Sequence, residues 1–112
     1  MKIVVLKFGG TSVGTIEKIK KIAEIIRSYK KKNYDIIVIS SAMSGVTNEL
    51  IQKSKKISSD FSDREYDVLL SSGEQIACSL IAGSLINKGL KSRSWLAWQI
   101  PIVTNNLHKN SR

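Results

Sequence analysis

The chain has 112 residues, of which 42% are hydrophobic and 24% charged, a composition that suits one small globular domain. A lone cysteine, Cys78, excludes an internal disulfide, and no continuous apolar run approaches the length of a membrane span, so we expect a reducing, cytoplasmic environment and no membrane partner. The net charge of +9 admits nucleic acid, an acidic surface or small anions as partners, but the lysines fall mainly on predicted helix surfaces, where a solvated charged face is the simpler interpretation.

The first predicted element is a buried strand that leads into a glycine-rich loop. Residues 2–8 contain a continuous apolar run followed by Lys7, which is typical of parallel strands covered by helices on both faces. The loop from Gly9 to Gly14 contains adjacent glycines and two hydroxyl residues. Paired glycines let a backbone approach a ligand, and N–H groups at the start of the following helix face an anion. By itself, the pattern predicts either a phosphate-binding loop or a tight turn between a strand and a helix.

An amphipathic helix with Thr15 as its N-cap is predicted next, followed by a second buried strand at residues 35–40. Asn33 suits the left-handed position after the helix. A strand, a helix and a strand of these lengths form a βαβ unit with parallel strands. The apolar face of the helix carries Ile16, Ile19, Ile22, Ala23, Ile26 and Tyr29, and the opposite face carries Lys18, Lys21, Glu24 and Lys31.

Parallel strands end at the same edge of a sheet, so the loop from Gly9 to Gly14 and the loop from Ser41 to Thr47 should lie together. Ligands of open α/β sheets bind at that edge. A helix is predicted after each loop, and the second begins near Thr47 with Leu50, Ile51, Ser54 and Ile57 facing inward. Two helix N-termini at one edge predict a substrate with more than one anionic group.

The second half of the chain is predicted to contain a short helix at 64–70, a break at 71–75, a helix that ends before Gly89, and a third strand at 91–98. Glu74 would lie in the first turn of the later helix. A carboxylate there either stabilises the helix dipole or binds an ammonium group or a magnesium ion.

Several other residues have structural interpretations that are simpler than functional ones. The Trp95 and Trp98 side chains are expected in the core or a wall rather than stacked on nucleic-acid bases. Cys78 is expected to be a buried, inert thiol among aliphatic side chains. His108 is expected to be a surface histidine, because the sequence offers no second ligand at metal-binding spacing. We therefore predict no metal ligands in this chain.

Four blocks of the chain, in order, resemble the aspartate kinases of the amino-acid kinase group. They are K-F-G-G-T-S-V at 7–13, V-I-S-S-A-M-S-G-V-T-N at 38–48, E-Y-D-V-L-L-S-S-G-E-Q at 65–75 and, less closely, W-Q-I-P-I-V-T-N-N-L-H-K-N-S-R at 98–112. The last block departs from the family pattern at Ile100-Pro101, Asn105-Asn106 and Lys109, where small, acidic and glycine residues respectively are usual.

The resemblance implies an α/β fold, namely a partial three-layer sandwich with a mainly parallel sheet flanked by helices. It implies ATP-dependent phosphorylation of the side-chain carboxylate of L-aspartate to 4-phospho-L-aspartate, the first step towards lysine, threonine and methionine, with Mg²⁺ as cofactor. By the same resemblance, Lys7 would neutralise charge on the transferred phosphoryl group, and Thr47 and Glu74 would hold the aspartate. The residues implied in ATP and phosphate binding are Lys7, Phe8, Gly9, Gly10, Thr11, Ser12 and Ser41.

The kinase domain of this family is longer than the chain. We therefore expect residues 1–112 to be its N-terminal part, without the nucleotide-binding half and the regulatory domains, and to be inactive alone. The full-length protein is expected to be a homo-oligomer. The alternatives are a standalone anion-binding or pseudoenzyme module and another amino-acid kinase. A nucleic-acid-binding protein is suggested only by the charge and the tryptophan pair, and we expect no nucleic-acid partner. The isolated chain is expected to self-associate through uncovered apolar surface.

Overall fold

The computed structural model describes residues 2–108, in which a parallel βαβ unit is followed by two further α-helices. The strands pair in parallel, with Lys2 opposite Tyr34 and Phe8 opposite Ser40, so both end at one edge of the sheet. This confirms the predicted α/β class and the parallel pairing. The elements are β1 (Lys2–Phe8), α1 (Ile16–Lys30), β2 (Tyr34–Ser40), α2 (Val46–Ile57), α3 (Asp63–Asn87) and a short 3-10 helix (Ala97–Gln99).

Both ends of α1 form as the sequence predicts. The side chain of Thr15 accepts a hydrogen bond from the backbone N–H of Lys18 at 3.2 Å, which satisfies one free donor of the first turn. Asn33 follows the helix with a φ of 62°, the left-handed conformation that asparagine tolerates. The Thr15 cap and the turn at Asn33 fix the two ends of α1, so that β2 begins beside β1 and completes the βαβ unit.

The hydrophobic core lies between one face of the sheet and the helices α1 and α3. The inward positions predicted for the middle of α1 are correct, whereas Ile16 is 49% exposed. Complete burial of a valine, leucine or isoleucine side chain stabilises the folded state by about 1.5–3 kcal/mol. The buried cluster consists of Val13, Ile19, Ile22, Ala23, Ile26, Ile81 and Leu85, with Leu6, Phe8, Ile36 and Val38 of the sheet packed against it.

The other face of the sheet is exposed, so the prediction that the strands are buried on both faces is wrong for the described residues. Ile3 and Val5 of β1 are 57% and 59% exposed, and Ile37 and Ile39 of β2 are 50% and 47% exposed. Side chains of a strand alternate between two faces, and α1 and α3 cover only one of them. Lys7 belongs to the exposed face, in register with Ile39.

A single continuous helix of 25 residues, α3, replaces the predicted break at 71–75. The hydroxyls of Ser71 and Ser72 donate to the carbonyls of Val68 and Leu69 at 2.8 and 2.6 Å. Serines that bond back to the preceding turn are compatible with a helix, whereas the sequence pattern treats them as loop residues. Glu74 is therefore in the middle of α3, and its predicted place in a first helical turn is wrong.

The C-terminus of α3 is a Schellman motif, as Gly89 predicts. Gly89 has a φ of 81°, its N–H donates to the Ile86 carbonyl at 2.9 Å, and the N–H of Leu90 donates to the Leu85 carbonyl at 3.1 Å. A side chain at position 89 would strain this conformation.

By length and composition alone, α3 could cross a membrane, since an 18-residue stretch has a mean hydropathy of 1.3. This length arises only because the two helices predicted from the sequence are one continuous helix. The helix packs against α1, α2 and β2, with Gly73, Ala77 and Ile81 buried. Core helices of globular proteins meet the same criterion. Only 22% of that stretch is buried within the described residues, so α3 packs against the other elements through a minority of its residues.

The third strand predicted at residues 91–98 and the inward position predicted for Ile57 are both wrong. Residues 91–96 form no strand, and the 3-10 helix Ala97–Gln99 follows them. This segment is not paired with either strand of the sheet. It shares with α3 a cavity of about 610 Å³ lined partly by Arg93, Ser94 and Gln99. Ile57, predicted to face inward, is 76% exposed, and the buried side chain of α2 is Ser54.

Candidate functional site

The loops that follow β1 and β2 lie together at the carboxyl edge of the sheet, as predicted. We name them the Gly9–Gly14 loop and the Ser41–Gly45 loop. The N–H of Ser44 donates to the Gly10 carbonyl at 3.1 Å. A Cβ atom on Gly10 would lie 3.0 Å from the Ala42 carbonyl oxygen, closer than real Cβ atoms ordinarily approach. Glycine at position 10 therefore permits the close approach of the two loops.

Internal hydrogen bonds shape the Gly9–Gly14 loop into a turn. The N–H groups of Ser12 and Val13 donate to the Gly9 carbonyl at 3.0 and 3.3 Å, and the N–H of Gly14 donates to the Thr11 carbonyl at 3.4 Å. Val13 is fully buried and anchors the loop in the core. Three N–H groups of the loop thus donate to carbonyls within the turn, whereas the N–H groups of Gly10 and Thr11 do not.

Lys7 is an exposed cation two residues before the Gly9–Gly14 loop, on the uncovered face of the sheet. Thr11 and Ser12 are exposed in the loop itself. The Phe8 side chain packs against the core, so only its backbone reaches the edge, where its carbonyl accepts the N–H of Ser41 at 3.2 Å. Lys7, Thr11 and Ser12 are consequently the predicted residues whose side chains are open to solvent here.

The two helices at this edge differ in how their N-termini are satisfied. Thr15 caps α1, whereas α2 begins after Gly45, which has a φ of 85° and provides no side-chain cap. Thr47, half-buried, is the second residue of α2. The N–H of Val46 donates to the Met43 carbonyl at 3.1 Å, and no side chain caps the other N–H groups of this first turn. N–H groups without a cap suit an anion, so α2 is the better of the two predicted anion-accepting helix starts.

Glu74 lies on α3, where that helix passes the Ser41–Gly45 loop and the start of α2. The preceding residue, Gly73, is buried, and a Cβ atom there would lie 3.1 Å from Ala42 Cβ and 3.2 Å from Val46 Cγ1. The helix that carries Glu74 therefore crosses the residues that lead into Thr47. Glu74 is exposed and forms no salt bridge within residues 2–108. Its mid-helix position removes the helix-dipole interpretation and leaves the carboxylate available to a cation.

One contact at the loop was not predicted. Lys18, assigned by periodicity to the solvent-facing side of α1, donates from Nζ to the Thr11 carbonyl at 3.0 Å. Its signal in the sequence is a cation in the first turn of a helix, where the dipole disfavours positive charge.

The last block contacts α3 rather than the edge of the sheet. His108 is an exposed histidine, as predicted, and its Nδ1 lies 2.6 Å from Oδ2 of Asp67. Trp95 and Trp98 are 51% and 77% exposed, so their predicted core or wall position is wrong, and the Arg93 guanidinium lies 4.3 Å from the Trp95 ring centroid. Cys78 is half-buried. Lys109 lies outside the described residues.

Known proteins resemble this chain over its whole length. Residues 2–112 match the model of the amino acid kinase family. The aspartokinase of Rickettsia felis is 48% identical over 99% of this chain and 28% of its own length. The aspartokinase of Geobacillus stearothermophilus is 46% identical over 100% of this chain and 28% of its own length.

A solved structure of an aspartate kinase also resembles this chain. The crystal structure of aspartate kinase from Synechocystis superposes with a TM-score of 0.75 and 38% sequence identity, over 77% of this chain and 15% of that protein. The chain thus spans little more than a quarter of the curated relatives described above, 28% in each case. Because the family model matches essentially the whole sequence, the chain belongs to the amino acid kinase family.

Proposed function

We propose that this chain is the N-terminal part of an aspartate kinase that transfers the γ-phosphoryl group of ATP to the side-chain carboxylate of L-aspartate. One observation carries the proposal: the Gly9–Gly14 loop, which follows Lys7 and Phe8 of β1, meets the Ser41–Gly45 loop at the carboxyl edge of two parallel strands. The similarity to aspartokinases at 46–48% identity supports this choice of substrate within the family.

The reaction suits the side chains at this edge. A carboxylate oxygen of aspartate attacks the γ-phosphorus, the bond from that phosphorus to the β,γ-bridging oxygen breaks, and ADP leaves. The aspartate side chain is already ionised at neutral pH, with an ordinary pKa of about 3.9, so no general base is required. Positioning and charge neutralisation are the main requirements of phosphoryl transfer.

Each predicted residue has a role in this scheme. The Lys7 ammonium neutralises charge on the transferred group, and the Gly9–Gly14 loop brings backbone close to the phosphates. Glu74 accepts the ammonium group of aspartate, and the first turn of α2, with Thr47, holds a carboxylate. Ser41 supports the loop through its bond to Phe8.

Magnesium fits this scheme as a partner of the nucleotide rather than of this chain. No cluster of three or more potential metal ligands exists in the part of the chain that the structure describes. Mg²⁺ in kinases is commonly held by substrate phosphates and one or two carboxylates. When bound, it neutralises charge on the phosphate oxygens. The residues present here orient the phosphates that would bring it.

The proposal includes the cellular role and the assembly. The product, 4-phospho-L-aspartate, would open the route to lysine, threonine and methionine. The protein would act in the cytoplasm as a homo-oligomer, with ATP and L-aspartate as its small-molecule partners.

The test is aspartate-dependent ADP formation by the gene product that contains this chain. Trapping with hydroxylamine identifies the acyl phosphate, and L-glutamate, N-acetylglutamate and UMP serve as competing acceptors. We expect turnover when L-aspartate is the acceptor and none with the three other acceptors. Lys7→Met should lower kcat by about 10²–10³-fold, as expected for the loss of one charge-stabilising group. Lys21→Met, which removes the same charge from the exposed face of α1, should leave kcat unchanged. Turnover with another acceptor only, or full activity of Lys7→Met, would refute the proposal.

A further inference from the structure

Lys18 is the only residue of α1 whose side chain, within residues 2–108, is seen bonded to the Gly9–Gly14 loop. Its Nζ donates to the Thr11 carbonyl oxygen at 3.0 Å, across seven residues of sequence. That oxygen also accepts the N–H of Gly14, but at the longer distance of 3.4 Å. The lysine therefore makes the shorter of the two bonds to the Thr11 carbonyl.

The position of this cation opposes the ordinary electrostatics of a helix. Lys18 is the third residue of α1, in the first turn, where the helix dipole disfavours positive charge. Glu17, the acidic residue of that turn, is engaged by Lys20 at 3.6 Å. The helix dipole favours an acidic residue at position 18. The lysine therefore does not stabilise α1 through the dipole, and its interaction with the loop is the one to consider.

The interaction of Lys18 with the loop acts on the Thr11 carbonyl. A carbonyl oxygen carries partial negative charge, which repels an anion nearby. A positive charge bound to the Thr11 carbonyl offsets that repulsion and holds the peptide group in one orientation. The same peptide orientation places the Thr11 carbonyl where the N–H of Gly14 can reach it.

We propose that Lys18 is a positioning residue for phosphate binding: its ammonium group holds the Thr11 carbonyl, fixes the Gly9–Gly14 turn and adds a second positive charge to that of Lys7 beside the loop. This inference rests on the proposed function, since it assigns the loop to the phosphate chain of a nucleotide. It adds a residue that neither periodicity nor the four sequence blocks single out.

The test compares Lys18→Met with Lys18→Arg and with the matched control Lys21→Met in the 112-residue chain. Inorganic tripolyphosphate is titrated by calorimetry, and amide hydrogen exchange is followed at Gly14. We expect Lys18→Met to weaken tripolyphosphate binding by about tenfold and to speed exchange at Gly14 severalfold, because a charge-assisted hydrogen bond is lost. Lys18→Arg should restore both, and Lys21→Met should change neither.

The outcomes separate this inference from the proposed function. If Lys7→Met weakens tripolyphosphate binding while Lys18→Met matches Lys21→Met in affinity and in exchange, Lys18 has no positioning role, and the proposed function stands. If the wild-type chain shows no measurable tripolyphosphate binding, the inference is overturned whatever the exchange at Gly14, because exchange alone reports only the stability of the turn. The proposed function is tested independently, by aspartate-dependent turnover.

Discussion

Glu24 and Lys88 connect α1 to the end of α3 by an ion pair that carries a predictable pH dependence. Lys88 Nζ donates to Oε1 of Glu24. This hydrogen bond, followed by the charge of Lys88 and smaller effects of Arg27 and Lys31, lowers the pKa of the Glu24 carboxyl below its ordinary value. Since the folded-state pKa is the lower one, the pair stabilises the fold above the unfolded-state pKa. That contribution is lost as the pH falls through the folded-state pKa.

We predict that Lys88→Met raises the Glu24 pKa towards its ordinary value and lowers the melting temperature at neutral pH. The difference in melting temperature should shrink as the pH falls below the ordinary pKa of glutamate, about 4.3, and should also shrink in high salt, because the pair is solvent-accessible. NMR titration of the Glu24 carboxyl carbon and thermal unfolding measure the two effects. Lys91→Met, at a nearby exposed position, is the control, and an unmoved Glu24 pKa in Lys88→Met would contradict the assignment.

Residues that act within their own turn of the chain were predictable from the sequence. Thr15, Asn33 and Gly89 each cap or terminate a helix by local geometry, and each has the predicted conformation. The partners of long side chains were not predictable. Lys18 and His108 reach across 7 and 41 residues, and their contacts depend on where tertiary packing places the Thr11 carbonyl and Asp67.

At the scale of the elements, the crossing of α3 over the Ser41–Gly45 loop requires a residue without a side chain. A Cβ atom at Gly73 would meet Ala42 and Val46 at 3.1 and 3.2 Å, whereas one at Gly83 would meet nothing within 4 Å. Both glycines lie inside the same helix, which makes them a matched pair.

We predict that Gly73→Val lowers the free energy of unfolding by about 1–3 kcal/mol, because the added atoms force α3 away from Ala42 and Val46. Gly83→Val should change it by less than about 0.5 kcal/mol, since valine is a slightly better helix former than glycine and has open space there. Urea unfolding followed by circular dichroism measures both. Equal stability of the two variants would show that α3 does not cross the loop at Gly73.

The errors at this scale have one physical origin. Strand and break predictions rest on local composition, whereas a strand needs a hydrogen-bonding neighbour and a serine-rich segment needs only a carbonyl three residues earlier to remain helical. Residues 91–98 had strand-like composition but no neighbouring strand, and Ser71 and Ser72 found their carbonyls within α3. The two loops at the sheet edge were predicted correctly because parallel pairing of β1 and β2 alone determines that edge.

At the scale of the whole molecule, the chain exposes more surface than its mass requires. Its accessible area is 8243 Å², whereas a compact monomer of this mass exposes about 6,100 Å². The excess, roughly 2,000 Å², is more than twice the roughly 800 Å² that one partner contributes to a standard protein–protein interface. Part of it is the uncovered face of the sheet, where Ile3, Val5, Ile37 and Ile39 are each about half exposed.

We predict that the 112-residue chain self-associates through this sheet face at micromolar concentrations. Val5→Lys should shift the population towards monomer, because a charge in the centre of the face opposes its burial. Val103→Lys, at a residue that is already 91% exposed, should leave the association unchanged. Sedimentation velocity over a range of concentrations measures the distribution. A wild-type chain that remains monomeric at every concentration, with a sharp reversible unfolding transition, would refute this prediction.

The hydrogen bond between Ser44 and Gly10 has a thermodynamic consequence for the two loops that it joins. Because the loops share this bond and a close backbone contact, a ligand that orders either loop reduces the entropy that remains to be lost by the other. Ligand binding at the Gly9–Gly14 loop is then coupled to ligand binding at the Ser41–Gly45 loop. Thermodynamic linkage requires this coupling to be reciprocal. The factor by which a phosphate ligand tightens binding at the first turn of α2 equals the factor by which a ligand there tightens phosphate binding.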